Sequence, residues 1–255
     1  MQIKRIIVTL TFVDGILFGT RNFKPDYRYT YNFVDTWDVD EIILLDITNK
    51  NESKRNKFYN VLKILSEKCF VPITAGGNID SISEIKKLLS NGADKVAINS
   101  KLNDENFIKE AVQIFGSSCI VGSLDFKENG DDYEIYCDKG SKKISSNFSS
   151  YLKRIQKFGI GEILIQSIDK DGSLEGYDIK LIKRVLKLSS VPVIACSGAG
   201  NWKHFYECFS KTNVSGASTT NIFHFTNKSI RNVKKFLLQK KISIRQIKDN
   251  TLDTN

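Results

Sequence analysis

The chain has 255 residues, 41% hydrophobic and 26% charged, with 38 Lys and Arg against 29 Asp and Glu for a formal charge of +9. That balance excludes a disordered chain, a collagen and a disulfide-stapled miniprotein. The length suits one (β/α)8 barrel, which takes about 250 residues. Apolar runs stand at 5–11, 41–47, 71–75, 95–99, 119–125, 162–167, 191–196 and 217–221. They are nearly continuous in Ile, Val and Leu, as strands buried on both faces should be. The first lies behind Lys4-Arg5 and ends at Asp14-Gly15, so it reads as a strand rather than a signal peptide. Helical periodicity follows the third run at Ile82, Ile85, Leu88 and Leu89, and the fourth at Phe107, Ile108, Ala111, Val112 and Phe115. Ser81 and Asp104 stand as N-caps of these two helices. The segment 132–145 breaks the rhythm and predicts a small β-hairpin after the fifth strand. Leu181, Ile182, Val185, Leu186 and Leu188 mark another helix, and Val233, Phe236 and Leu237 the last.

Strand–helix alternation of this kind predicts an α/β fold, a single (β/α)8 TIM barrel over 1–241 with a polar tail at 242–255. An open doubly wound sheet is the competing architecture. The sequence also repeats. Pro72 and Pro192 sit in matching Val-Pro strands 120 residues apart, Glu41 and Glu162 open matching strands 121 apart, and Ile6 and Ile120 begin matching strands 114 apart. Two half-barrels of four β/α units explain all three offsets and favour the closed barrel.

Five cysteines, Cys69, Cys119, Cys137, Cys196 and Cys208, form no C-x-x-C pair, and His204 and His224 are the only histidines. No metal site and no cofactor is expected; reduced thiols in a cytoplasmic protein are. No stretch reaches the ~18–20 apolar residues of a membrane span, so no membrane association is expected. Much of the positive excess gathers at Lys234-Lys235 and from Lys240-Lys241 to Lys248. No aromatic–basic motif accompanies it, which argues against nucleic acid and for a phosphorylated metabolite or an acidic partner.

Chemistry in such a barrel sits at the C-terminal ends of the strands. Gly76-Gly77-Asn78 follows strand three and Ser197-Gly198-Ala199-Gly200-Asn201 follows strand seven. Side-chain-free turns before helices let backbone N–H groups approach anions, and two related by the half-barrel repeat predict two phosphate sites. Tight turns also need glycine for its backbone alone. Thr219, Thr220 and Asn221 end strand eight beside the second site. Asp125 ends strand five, Asp46 ends strand two, and Asp169-Lys170-Asp171-Gly172 follows strand six. A carboxylate at a strand mouth serves as acid or base when its surroundings raise its pKa; otherwise it organises a loop. At the opposite end Arg5, Glu41, Lys95 and Glu162 begin strands one, two, four and six. Two positives and two negatives there form either a plug for the barrel floor or a gate to its interior.

The ordered segments Lys4-Arg5-Ile6-Ile7, Leu45-Asp46-Ile47-Thr48, Pro72-Ile73-Thr74-Ala75-Gly76-Gly77, Gly92-Ala93-Asp94-Lys95, Asn99-Ser100, Ser167-Ile168-Asp169-Lys170-Asp171-Gly172, Gly176-Tyr177-Asp178 and Gly198-Ala199-Gly200-Asn201 resemble the cyclase subunit of imidazole glycerol phosphate synthase. The resemblance covers about residues 1–240. It implies a barrel that docks a glutaminase subunit on its floor as a heterodimer and passes ammonia to a bis-phosphorylated substrate at the top. It further implies an ammonia gate at Arg5, Glu41, Lys95 and Glu162, a glutaminase contact at Asp94, and substrate contacts at Gly76, Gly77, Asn99, Asp171, Gly172, Gly198, Gly200 and Asn221. Of the family's two cyclising aspartates, one matches Asp125 and the other falls on Thr11. A hydroxyl does not accept a proton near neutrality as a carboxylate does. The family's basic residue after strand one falls on Gly19, its third glycine after strand three on Asn78, and its glycine before the strand-seven turn on Ser197.

Departures thus cluster at the substrate end. With Thr9-Leu10-Thr11, Thr20-Arg21-Asn22-Phe23 and Tyr31-Asn32-Phe33 they make the chain similar to a diverged branch associated with glycosyl amidation in surface-polysaccharide clusters. The main expectation is therefore an ammonia-channelling barrel that works with a glutaminase and a third amidotransferase protein on a phosphorylated or nucleotide-linked sugar. The alternative is a true cyclase of histidine biosynthesis. A second alternative is a non-catalytic ammonia conduit.

Overall fold

The computed structural model describes residues 3–28, 38–49, 52–145, 147–219 and 229–246. Its first half runs β1 (Arg5–Val13), β2 (Ile16–Arg21), β3 (Lys24–Arg28), β4 (Glu41–Asp46), α1 (Glu52–Lys68), β5 (Ile73–Gly76), α2 (Ile82–Ser90), β6 (Lys95–Ile98) and α3 (Glu105–Phe115). The second half runs β7 (Ile120–Asn129), β8 (Asp132–Cys137), β9 (Lys142–Ser145), α4 (Phe148–Gln156), β10 (Glu162–Ser167), α5 (Ile179–Leu186), β11 (Val193–Cys196), α6 (Trp202–Lys211), β12 (Gly216–Thr219) and α7 (Ser229–Gln239). Strands β1, β4, β5, β6, β7, β10, β11 and β12 pair in parallel, and β12 returns to β1. The barrel is closed, which rules out the open sheet.

Alternation along the strands explains the continuous apolar runs. On β1, Ile6, Val8, Leu10 and Phe12 face the helices in the large outer core. Ile7 faces inward with Ile43, Ala97, Val121, Leu164 and Ile194 in a separate small cluster. Both faces of each strand are therefore apolar at mid-height, as in a filled barrel. Ser81 and Asp104 cap α2 and α3 by accepting from the backbone N–H groups of Glu84 and Phe107. Helices α1, α4 and α6 carry no periodicity that the sequence reading singled out.

Each half-barrel sends an antiparallel excursion out of its first strand. β1 continues into β2 and β3, and β7 continues into β8 and β9. The sequence reading placed a hairpin only at the second position. Asp14-Gly15 between apolar residues was the available signal for the first, since Asp-Gly is a strong short-range hairpin mark. Its backbone takes positive φ at both residues, 53° and 75°.

The boundary at 241/242 cuts through packed chain. The Lys4 N–H donates to the Ser243 carbonyl at 2.8 Å, and Ile244 bridges Lys4 in parallel and is 6% exposed. The described part of the expected tail thus closes the floor beside β1, because Ile242 and Ile244 have apolar surface to bury. None of the five cysteines is bridged. Among the described residues no helix is long and apolar enough to cross a membrane.

Candidate functional site

The inward-facing residues form tiers. At the floor, Arg5 donates to Glu41 at 2.6 Å and also to Glu162, and Lys95 reaches Glu41 at 3.3 Å and Glu162 at 3.1 Å. Thr74 adds a 2.8 Å bond to Glu41, and Ser215 accepts from Arg5 at 2.9 Å. The side chains of Glu41 and Glu162 are 2% and 9% exposed. Burial works against the Arg5 charge, but Glu162 and then Glu41 outweigh it and hold its pKa above the ordinary value. The four sequence-predicted floor residues thus meet in one closed ion-paired ring. Asp94 lies exposed beside it, its carboxylate accepting from the Ile73 N–H at 2.8 Å.

Above the ring comes the apolar tier of Ile7, Ile43, Ala97, Val121, Leu164 and Ile194. Above that a cavity of about 350 Å³ opens at the C-terminal mouth, lined by Thr9, Thr11, Asn99, Ser123, Asp125 and Gln166 among others. Thr9 and Ser218 share a 2.5 Å hydroxyl bond at its base.

Asp125 is a buried carboxylate of this mouth with no ion-pair partner among the described residues. Burial drives its pKa up to about 7, while Gln166 and Asn99 donors hold it down and Asp171 adds to the rise. Gln166 Nε2 donates to it at 3.1 Å. Gln166 sits opposite Asp125 in the β7–β10 register, and its phase with inward Glu162 and Leu164 was the signal that sequence reasoning passed over. Thr11 occupies the related place in the first half. Asp125 pairs with Tyr136 on β8, and Thr11 pairs with Phe18 on β2. Its hydroxyl donates to the Phe18 carbonyl at 2.5 Å, so its proton is committed to the hairpin.

The other aspartates organise loops. Asp46 continues the outward series of β4; its oxygens accept from Thr48 N–H at 3.0 Å and Arg55 at 2.6 Å. Arg55 also pairs with Glu84 at 2.6 Å. Asp169 accepts from the Glu128 N–H at 2.7 Å. Asp171 accepts from the Phe23 N–H at 2.9 Å and from the Thr20 hydroxyl at 3.1 Å. Burial raises its pKa, with Phe23 and Thr20 pulling the other way. Asp171 and Gly172 thereby hold the β2–β3 turn against the mouth.

Of the predicted phosphate contacts, Gly77, Asn99, Asp171, Gly172 and Gly198 line the cavity. Packing alone already demands two of these glycines. A Cβ on Gly77 (φ +92°) would overlap the Asp46 carbonyl oxygen, and one on Gly198 (φ +94°) the Gly176 carbonyl oxygen. Gly76 ends β5 within the ladder, opposite Ala97. The Gly200 N–H donates to His204 Nδ1 at 3.0 Å. Ser197 and Asn78, standing where the resemblance expects glycine, both keep positive φ, 80° and 55°. Thr220 and Asn221 lie outside the described residues, as do Tyr31, Asn32 and Phe33.

A family model described as "Histidine biosynthesis protein" matches residues 8–229. The imidazole glycerol phosphate synthase subunit HisF of Thermococcus onnurineus (strain NA1) is 37% identical over 251 residues, 96% of this chain and 99% of that protein. The chain belongs to the HisF family. HisF of Hydrogenobaculum sp. (strain Y04AAS1) is 39% identical over 253 residues, 96% of this chain and 100% of its own. HisF of Chloroherpeton thalassium (strain ATCC 35110 / GB-78) is 39% identical over 251 residues with the same coverage. These relatives are named for the synthase. They support the HisF expectation and lend nothing to the glycosyl-amidation branch, so the alternative reading fits better than the main one.

Proposed function

We propose that this HisF-family barrel is a synthase subunit that takes ammonia at its floor ring and delivers it to an acceptor at Asp125. The observation that carries this is the stacking of three environments along one axis. A closed ion-paired ring lies below, an apolar tier sits between, and a polar cavity with a carboxyl titrating near 7 lies above. Neutral ammonia crosses an apolar tier more readily than a charged species, because burying an unpaired charge is far costlier. A glutaminase docked over Arg5, Glu41, Lys95, Glu162 and Asp94 is the source that this geometry fits.

The names of the relatives favour imidazole glycerol phosphate formation as the reaction. In it Asp125 moves the protons of ring closure. A group with a pKa of about 7 is well matched to donating and accepting near neutrality. Gly77 and Asn99 on one side and Gly172 and Gly198 on the other would receive the two phosphate ends.

One observation favours a second reading. The only side chain at the Asp125-related place is a hydroxyl already bonded to Phe18, so a carboxylate pair is lacking there. An acceptor that needs less acid–base help, such as a sugar amide to be amidated with a third protein, suits that arrangement.

Turnover of the bis-phosphorylated ribulosyl substrate with ammonium salt decides between them. The cyclase reading expects turnover that falls about 10²–10⁴-fold in Asp125→Asn and rises in Thr11→Asp. No turnover in the unmodified chain, together with glutaminase stimulation, favours the second reading. Failure to bind or stimulate any glutaminase defeats both.

A further inference from the structure

The turn between β8 and β9 has no role in the reading above, yet it arches over the mouth. Asp138, Lys139 and Gly140 all take positive φ, 50°, 58° and 76°. Three successive left-handed residues, two of them not glycine, cost energy and persist only when surrounding contacts hold them. Those contacts come from separate loops. Ser100 donates to Asp138 at 3.3 Å. A Cβ on Gly140 would sit 3.1 Å from Ile168 and 3.4 Å from the Phe23 ring, so the two half-barrel excursions meet here. The Lys139 ammonium donates to Asn49 Oδ1 at 2.9 Å across the mouth.

That last bond fixes where the charge lies. Asn49 follows Thr48, whose carbonyl accepts from Asn78 Nδ2 at 3.0 Å. Lys139 therefore hangs over the β4–β5 side, beside the Gly77-Asn78 turn. Among the described residues two cations line the cavity, Lys101 and Lys139. Lys101 is paired with Asp104 at 3.1 Å. Among the described residues Lys139 has only the neutral Asn49 amide, and its neighbour Asp138 accepts from Ser100. A cation held at a cavity mouth without a carboxylate partner is a site for an anion.

We propose that Lys139 recognises a phosphate monoester of the substrate at the Gly77 side of the mouth, exchanging Asn49 for the phosphate. This rests on the reading that the acceptor is phosphorylated. It gives the substrate end a cation that position 19 does not supply, since Gly19 has no side chain. The β8–β9 turn, strained and braced, is then a specificity element rather than a surface ornament.

Inorganic phosphate is the probe, titrated into the full-length chain by calorimetry against chloride of equal ionic strength. Losing one charge-assisted contact weakens binding roughly tenfold to a hundredfold. That loss is expected in Lys139→Met, with recovery in Lys139→Arg and a smaller effect in Lys101→Met. Unchanged melting temperatures show that the variants fold. Binding in Lys139→Met equal to that of the parent overturns the proposal. So does a parent that binds no phosphate with a Kd below the order of 10 mM. Glutaminase stimulation is measured separately. Its absence with phosphate binding intact sinks the ammonia reading and leaves Lys139, while the reverse pattern sinks Lys139 alone.

Discussion

Two related positions, Thr11 and Asp125, hold opposite chemistry. Each lies one residue before the end of the parallel ladder of its half-barrel's first strand, which runs on into the hairpin, and each pairs there with the hairpin partner, Phe18 or Tyr136. Among the described residues Asp125 is buried without a countercharge, and its pKa rises from 3.8 to about 7. The unfolded chain ionises it near 4 and the folded chain only near 7. Its protonated form therefore favours folding below pH 4, and that contribution is lost as pH rises through 7. Asp125→Asn removes the charge and keeps the shape. We expect it to raise the melting temperature more at pH 8 than at pH 5, with a ceiling of about 4 kcal/mol for a shift of this size. An equal change at both pH values, read by thermal unfolding, contradicts a buried ionisable Asp125. In catalysis the parent's activity should change slope near pH 7, and a flat pH–rate profile from 5 to 9 would count against Asp125 as the proton carrier.

At the scale of elements the β-to-α turns set the site. Ser197 stands at φ +80° between β11 and the Gly198 turn. A side chain in that region costs about 1–2 kcal/mol, partly offset by the unfolded-state entropy that glycine adds. Ser197→Gly should therefore stabilise by roughly 0.5–1 kcal/mol, a rise of a few degrees in melting temperature. No gain would show that the Ser197 side chain compensates its own strain. Gly77→Ala goes the other way. Its Cβ meets the Asp46 carbonyl at the point where Asp46 is locked to Arg55, so we expect poor folding yield and a loss above about 3 kcal/mol if it folds. The paired excursions β2–β3 and β8–β9 make the same point. The second was legible from its tyrosine-rich alternation and Asp-Lys-Gly turn. The first was hidden because Asp14-Gly15 reads equally as the end of a strand. That they touch at Phe23 and Gly140 follows from closure of the barrel.

For the whole molecule the floor ring is the joint between halves, Arg5 and Glu41 from one and Glu162 from the other. Glu41→Gln leaves Arg5 and Lys95 with one carboxylate inside a buried ring. Breaking such a pair costs about 3–5 kcal/mol, and denaturant unfolding should show it. A loss under about 1 kcal/mol would mean the ring is solvated. Lys95→Met, which removes a half-buried cation and leaves Arg5 on both carboxylates, should cost less stability. On the proposed function it should lower glutamine-dependent turnover more than ammonium-dependent turnover.

The sequence by itself determined eight strand–helix units in two related halves, the four charged residues at the strand starts and Asp125 at a strand mouth, because strand burial and a 114–121 residue repeat are written in the order of residues. The β12–β1 pairing decided closure over the open sheet. Tertiary structure alone decided which polar groups are already spoken for. Asp46 is held by Arg55, Asp171 by the β2–β3 turn and Thr11 by Phe18, whereas among the described residues Lys139 is bonded only to the neutral Asn49 amide. The physical reason is that a hydrogen-bond partner 7 or 151 residues away is chosen by barrel closure and loop packing, and no local pattern encodes it.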